Sequence, residues 1–420
     1  MSTKGGSGMR VLHTGDWHFG RSLEGRSRLP EQEAFVDELV AIAEEEAVDL
    51  VLVAGDVYDS VNPPAAAEQL YFEALTRLSD GGRRAVAVIA GNHDHPERIA
   101  ASAPLAVRSG IHLAGLPAAE PLVIGVPRTG ETAVIAALPY PSESRLNELL
   151  AAEADEQALR GAYSERVGRL MADQASAFRP DAVNLAMSHL YVLGGVESDS
   201  ERPIQVGGAY TVDPSALPAE AQYTALGHLH RPQRAAGRET VRYCGSPLAY
   251  SFSEAGQAKS VVLFEAVPGR PVEPQEVLLS SGRPLVRWTA AGGLAEVWRW
   301  LDEGRDPRAW IDLEIHTADL IAPEEIARLR KAHDGIVHIR PVFPEEAGRG
   351  GTEAAQRDQL PVDELFCRFY AQKTGGAEPD EALIRLFLEL LAEQDVGDAA
   401  AGRAELAVQT AAADDGGDVG

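Results

Sequence analysis

"AVAVIAGNHDHPER" (residues 85–98) decides how this chain is read. Six apolar residues run straight into Gly91, Asn92, His93 and Asp94. A short continuous apolar run closed by a glycine fits a strand buried on both faces. Its ending carries a carboxamide, an imidazole and a carboxylate, side chains that hold cations or move protons and that an ordinary turn does not need.

The same pattern recurs outward in both directions. "MRVLHTGDWH" reads as a strand that breaks at Gly15 and delivers Asp16 and His18, and "VDLVLVAGDVYD" as one ending on Gly55, Asp56 and Asp59. "AVNLAMSH" ends on His189, and "QYTALGHLH" on His228 and His230. Helices fall between the first three strands, with Phe35, Leu39 and Ile42 on one face and Leu70, Ala74 and Leu78 on another. Strand, helix, strand, helix, strand predicts an α/β fold with an open parallel sheet. The carboxyl ends of such strands share one edge, where ligands bind, so distant side chains converge on one cleft.

The chain has 420 residues, 45% of them hydrophobic, enough for a large core and two or three domains. No apolar run is long enough to span a membrane and no secretory leader is evident, so a cytoplasmic protein is expected. Cys244 and Cys367 lie far apart, with no CxxC pair, which excludes a disulfide framework and a thiolate zinc site. A formal charge of −26 argues against a protein that coats nucleic acid with its own basic surface. Part of that excess is local: residues 345–420 hold 17 Asp or Glu against 6 Lys or Arg.

Six regions follow: a disordered N-terminus (1–8), the α/β domain (9–260), a smaller α+β unit (261–344), a Gly-rich linker (345–360), two amphipathic helices (361–395) and a disordered acidic tail (396–420).

Asp16, His18, Asp56, Asn92, His189, His228 and His230 are the candidate metal ligands. Carboxylate, imidazole and carboxamide donors without thiolate suit a hard divalent ion: manganese first, magnesium as the other candidate. Two neighbouring dications repel unless an anion bridges them, and Asp56, central in the sheet order, is the natural bridge. Glycines before Asp56, Asn92 and His228 let the backbone turn sharply and approach the metals. His93, an imidazole beside such a centre, is the candidate catalytic residue, able to protonate a leaving alkoxide or to stabilise charge on the scissile phosphate. Asp59 and Asp94 are read as orienting groups, His13 as core, Trp17 as site floor and "ESDSER" (197–202) as a solvated loop beside the cleft.

In order, D-x-H, GD-x-x-D, GNHD, H and GH-x-H resemble the calcineurin-like metallophosphoesterases. The surroundings "GNHDHPERIA", "GGVESDSERPIQVGG", "ALGHLHRPQ" and "YCGSPLAYSFSEAG" resemble, within them, the SbcD family of nuclease subunits, over about residues 9–395. Ser60-Val61 follows Asp59 where protein phosphatases of the superfamily carry Arg-Gly, which weakens that relationship. The resemblance implies a layered-sheet nuclease domain with a smaller α+β capping domain and C-terminal helices that bind a partner. It places Asp16, His18, Asp56 and His230 on one metal, and Asp56, Asn92, His189 and His228 on the other. It also implies DNA as substrate, an SbcC-like ATPase with a long coiled coil as partner, and a homodimer within a heterotetramer. A small-molecule phosphodiesterase and a non-catalytic adaptor of the ATPase are the rival readings.

Overall fold

The computed structural model describes residues 8–142, 156–201 and 210–343, together with Pro379 and Leu383. The linker, most of the two C-terminal helices and the acidic tail lie outside the described residues.

The first three apolar runs form strands β1 (Met9–Thr14), β2 (Leu50–Val53) and β3 (Ala85–Ile89), with β4 (Ile111–Ala114) beyond them. These four pair in parallel, as expected. β2 and β3 are buried on both faces, because Val51, Val53, Val86 and Val88 point into one core while Leu50, Leu52, Ala87 and Ile89 point into another. Helices α1 (Leu29–Glu45) and α2 (Ala65–Leu78) cover the first face with Phe35, Leu39, Leu70 and Ala74.

At the opposite face the layered-sheet expectation holds, and only the single open sheet read from the strand order is corrected. The later strands do not extend a single open sheet. β5 (Leu122–Gly125), β6 (Thr132–Leu138), β7 (Val183–His189), β8 (Tyr223–Gly227), β9 (Gln233–Ala235) and β10 (Arg238–Tyr243) build a second six-stranded sheet in the order β9-β10-β8-β7-β6-β5. Ile135, Leu185, Met187, Tyr223 and Ala225 share a core with Val11, Leu50 and Ala87 of the first sheet, so the two sheets pack face to face. Helix α3 (Glu156–Ala175) covers the outside of the second sheet with Tyr163, Val167 and Met171. The result is four layers, helix–sheet–sheet–helix.

The boundary at 260/261 is also corrected. β11 (Ser260–Ala266) and β12 (Gln275–Leu278), expected in the smaller unit, belong to the first sheet, whose order is β12-β11-β1-β2-β3-β4. β11 runs antiparallel to β1, with Met9 opposite Ala266 and His13 opposite Val262. The α+β unit begins after β12. It consists of β13 (Leu285–Ala290), β14 (Trp310–His316) and β15 (Ile336–Val342), with α4 (Leu294–Asp302) and α5 (Pro323–Ala332) around Trp288, Trp300, Ile311, Leu313 and Leu329.

A polar joint ties this unit to the start of α1. Arg28, wholly buried, donates through Nε and one terminal nitrogen to Glu31 at 2.6 and 2.8 Å, and through the other to the Ala249 carbonyl. The same carboxylate accepts from Trp310 Nε1 at 2.9 Å and from the Arg283 backbone N–H at 2.7 Å. Four donors on one carboxylate leave none of its lone-pair sites to solvent.

Candidate metal centre

The polar strand ends meet because the first sheet's loops run side by side at its carboxyl edge. Asp16 N–H donates to the Gly55 carbonyl at 2.9 Å, and His18 N–H to the Asp56 carbonyl at 3.0 Å. Asp16, His18, Asp56 and His228 all take positive φ (52°, 47°, 48° and 108°) without being glycine. Such a backbone costs roughly 1–3 kcal/mol per residue and collects at functional sites, where packing enforces it. Gly55 turns sharply as expected, at φ 90°, while Gly91 and Gly227 serve close packing. A Cβ on Gly91 would lie 2.1 Å from Asp56 Oδ1, and one on Gly227 would lie 1.9 Å from the Ala54 carbonyl oxygen. They make room for neighbouring loops to touch each other.

All seven candidate ligands come together. His18 Nε2 and His230 Nε2 face each other at 2.9 Å, and His189 Nε2 lies 2.9 Å from Asn92 Oδ1. Asp56 Oδ2 sits between these pairs, 3.6 Å from His18 Nε2 and 3.4 Å from His189 Nε2. Asp16 can join either side, since its carboxylate groups with His18 and His230 and also with Asp56 and His189. His228 donates its backbone N–H to Asp16 at 2.9 Å, and its ring lies 5.6 Å from that of His189. Asp16 Oδ2, Asn92 Nδ2 and His228 Nε2 are buried without a hydrogen-bond partner. Orphaned buried polar atoms are costly, and divalent cations bound among the oxygen and nitrogen donors would relieve most of that cost.

Electrostatics agree with that fit. Burial pushes the His18 and His230 imidazoles well below their usual pKa and His228 down to about 3, so all three are neutral, the form that ligates. Burial also raises Asp16 well above the carboxylate range. Asp56 is pushed up by burial, but His189 and His93 outweigh this and hold it well below that range. Burial lowers His189, yet the Asp56 carboxylate wins and lifts it to about 9. Without metal, His189 therefore carries a proton below pH 9 that a cation must displace. Manganese titrations should accordingly release at least the His189 proton at pH 7.5, with affinity rising as pH rises toward 9. Calorimetry in buffers of different ionisation enthalpy measures that proton directly.

His93 is placed differently. Its Nδ1–H donates to the Asp59 carbonyl at 2.7 Å, and its backbone N–H donates to Asp56 Oδ1 at 2.9 Å. Nε2 is left 4.0 Å from Asp56 Oδ2, and His93 lines a cleft of about 320 Å³ with Arg21, Ser22, Asp59, Asp199, Ser200 and Glu201. Asp94 orients loops: its carboxylate accepts the N–H groups of Val57, Tyr58 and Gly91. His13 is core, bonded to the Tyr223 hydroxyl at 2.9 Å, and Trp17 is wholly buried against Phe19 and Phe35.

Several supporting residues escaped the sequence reading. Gln32 donates to the His18 carbonyl at 2.8 Å, and Tyr250 hydrogen-bonds the Trp17 carbonyl. In "ESDSER", Ser200 and Glu201 are buried against His230 rather than solvated. Only that stretch's position after His189 hinted at this.

Four imidazoles, two carboxylates and a carboxamide at the mouth of a double-sheet sandwich define a metallophosphoesterase. Residues 9–232 match the family described as calcineurin-like phosphoesterase, and residues 281–374 match the type 5 capsule protein repressor C-terminal domain. The chain is 55% identical over 392 residues to the SbcD subunit of nuclease SbcCD from Bacillus subtilis, covering 93% of this chain and 100% of the relative. It is 33% identical over 405 residues to the SbcD subunit of nuclease SbcCD from Escherichia coli K12, covering 91% and 98%. The chain belongs to the calcineurin-like phosphoesterases and, within them, to the SbcD family. It is a metal-dependent phosphoesterase. Among the described residues, no helix is long and apolar enough to cross a membrane.

Proposed function

We propose that the chain is the nuclease component of a DNA-processing complex, cutting duplex ends exonucleolytically and single strands or hairpins endonucleolytically with an SbcC-like ATPase. The observation that carries this is Asp56 Oδ2, set 3.6 and 3.4 Å from imidazoles of two separate donor groups, where a shared anion belongs. Asp16, His18, Asp56 and His230 would hold one divalent ion, and Asp56, Asn92, His189 and His228 the other, with manganese favoured by the donor set. When bound, the ions neutralise a phosphodiester and activate water near neutral pH.

The chain's own residues then supply orientation and a proton. His93, fixed through Nδ1 by the Asp59 carbonyl, presents Nε2 to the cleft and protonates the departing sugar oxygen. The C-terminal helices, outside the described residues, are assigned to the ATPase coiled coil, and a homodimer of this chain to the assembled heterotetramer. Manganese-dependent degradation of plasmid DNA by the purified complex tests the reading. His93→Gln should lower the rate about 10²–10⁴-fold, the usual contribution of a general acid, without changing manganese binding. Intact DNA in the wild-type reaction, or full activity in the variant, would sink the proposal.

A further inference from the structure

His230 is supported on its outer side by two hydroxyls that lead to a buried carboxylate. Its Nε2 points at His18, so for that nitrogen to offer a lone pair to a cation the ring proton must sit on Nδ1. Nδ1 lies 2.5 Å from Ser200 Oγ and donates to it. Ser200 Oγ lies 2.9 Å from Ser198 Oγ, and Ser198 Oγ donates to Glu201 Oε2 at 2.6 Å. The other carboxylate oxygen accepts the backbone N–H of His230 at 2.7 Å, closing the circuit on the residue where it began. Ser200 and Glu201 are 4% and 9% exposed, so the bonds they make to His230 are shielded from water, while Ser198 is half-buried.

We infer that Ser198, Ser200 and Glu201 form a positioning relay that fixes the tautomer of His230 and holds its Nε2 lone pair toward the cation position. It is an extended form of the carboxylate–histidine–metal arrangement, in which each hydroxyl passes the carboxylate's pull one step inward. This rests on the reading of His230 as a ligand and says how that ligand is tuned.

The two metal positions are thereby made unequal. His189, proposed for the other ion, leans through Nδ1 on the Ala54 backbone carbonyl at 2.9 Å, next to a core strand. His230 leans on a loop whose Asp199, Ser200 and Glu201 line the cleft, and whose Ser200 carbonyl is gripped by Arg21 at 2.9 Å. The affinity of the first position is set by the wall of the substrate cleft.

Manganese titration of the metal-free full-length chain, followed by calorimetry and by the resonance signal of free Mn²⁺, tests this. In Ser200→Ala one of two sites should weaken about 10–100-fold while the other stays within about twofold, the range for loss of an outer-shell partner. Ser200→Thr, which keeps the hydroxyl, should restore it. Glu201→Gln, which carries no charge and keeps one acceptor oxygen where the carboxylate uses two, should weaken that same site and leave the other unchanged. Equal weakening of both sites, or no change in either, overturns the relay, with metal-free melting curves establishing that the variants fold. A wild-type chain that fails to bind two ions would strike at the ligand assignment itself.

Discussion

Asp56→Asn is expected to abolish paired metal binding and to lower nuclease activity by more than about 10⁴-fold, beyond what loss of a general acid alone costs. The substitution is nearly isosteric, and the Asn oxygen can still accept the His93 backbone N–H that Asp56 Oδ1 accepts at 2.9 Å. What disappears is the anion between two cation positions, whose mutual repulsion is then unscreened. His189 also loses the carboxylate that holds its pKa near 9 and returns to neutrality in the metal-free chain. Metal titration should find no second ion at concentrations that saturate the wild type, and circular dichroism should find the fold intact. Two tightly bound ions in Asp56→Asn would remove the basis for calling Asp56 the bridge.

Glu31→Ala should destabilise the chain by about 3–5 kcal/mol, the cost of stranding one member of a buried ion pair. Arg28 is wholly buried, with Glu31 as its ionic partner, and Trp310 Nε1 and the Arg283 N–H lose their acceptor in the same stroke. Replacing both charges, as in Arg28→Met with Glu31→Leu, should recover only part of the loss, because those two donors stay unsatisfied. Equilibrium denaturation in urea measures both. A loss below about 1 kcal/mol in Glu31→Ala would mean that water enters the joint and screens the pair.

The proposed metal centre was legible because its candidate ligands cluster at the ends of apolar runs. A strand hidden on both faces has no alternation to blur its end, so Gly91-Asn92-His93 and Gly227-His228 stand out sharply. The same property hid the architecture. With Val86 and Ala87 equally buried, the hydrophobic pattern alone does not say that β7 and β8 stack over the first sheet instead of extending it, and only the family resemblance implied the layers. The return of β11 to β1 was invisible for another reason, since the pairing of Met9 with Ala266 leaves no local trace. Ser200 and Glu201 were missed because hydroxyls and carboxylates in an acidic stretch look like any wetted loop. Their function depends on His230 lying behind them, which only the folded chain reveals.

The closure of the first sheet by β11 governs how the protein can be made and cut. β1 lies between β2 and β11, so the hydrogen-bonding edge of Met9–His13 stays bare until residue 266 has left the ribosome. A fragment trimmed to the end of the phosphoesterase match at residue 232 would contain every proposed ligand and still present an open, apolar strand to its neighbours. Such a truncation should clump, and the shortest soluble catalytic piece must run past β12.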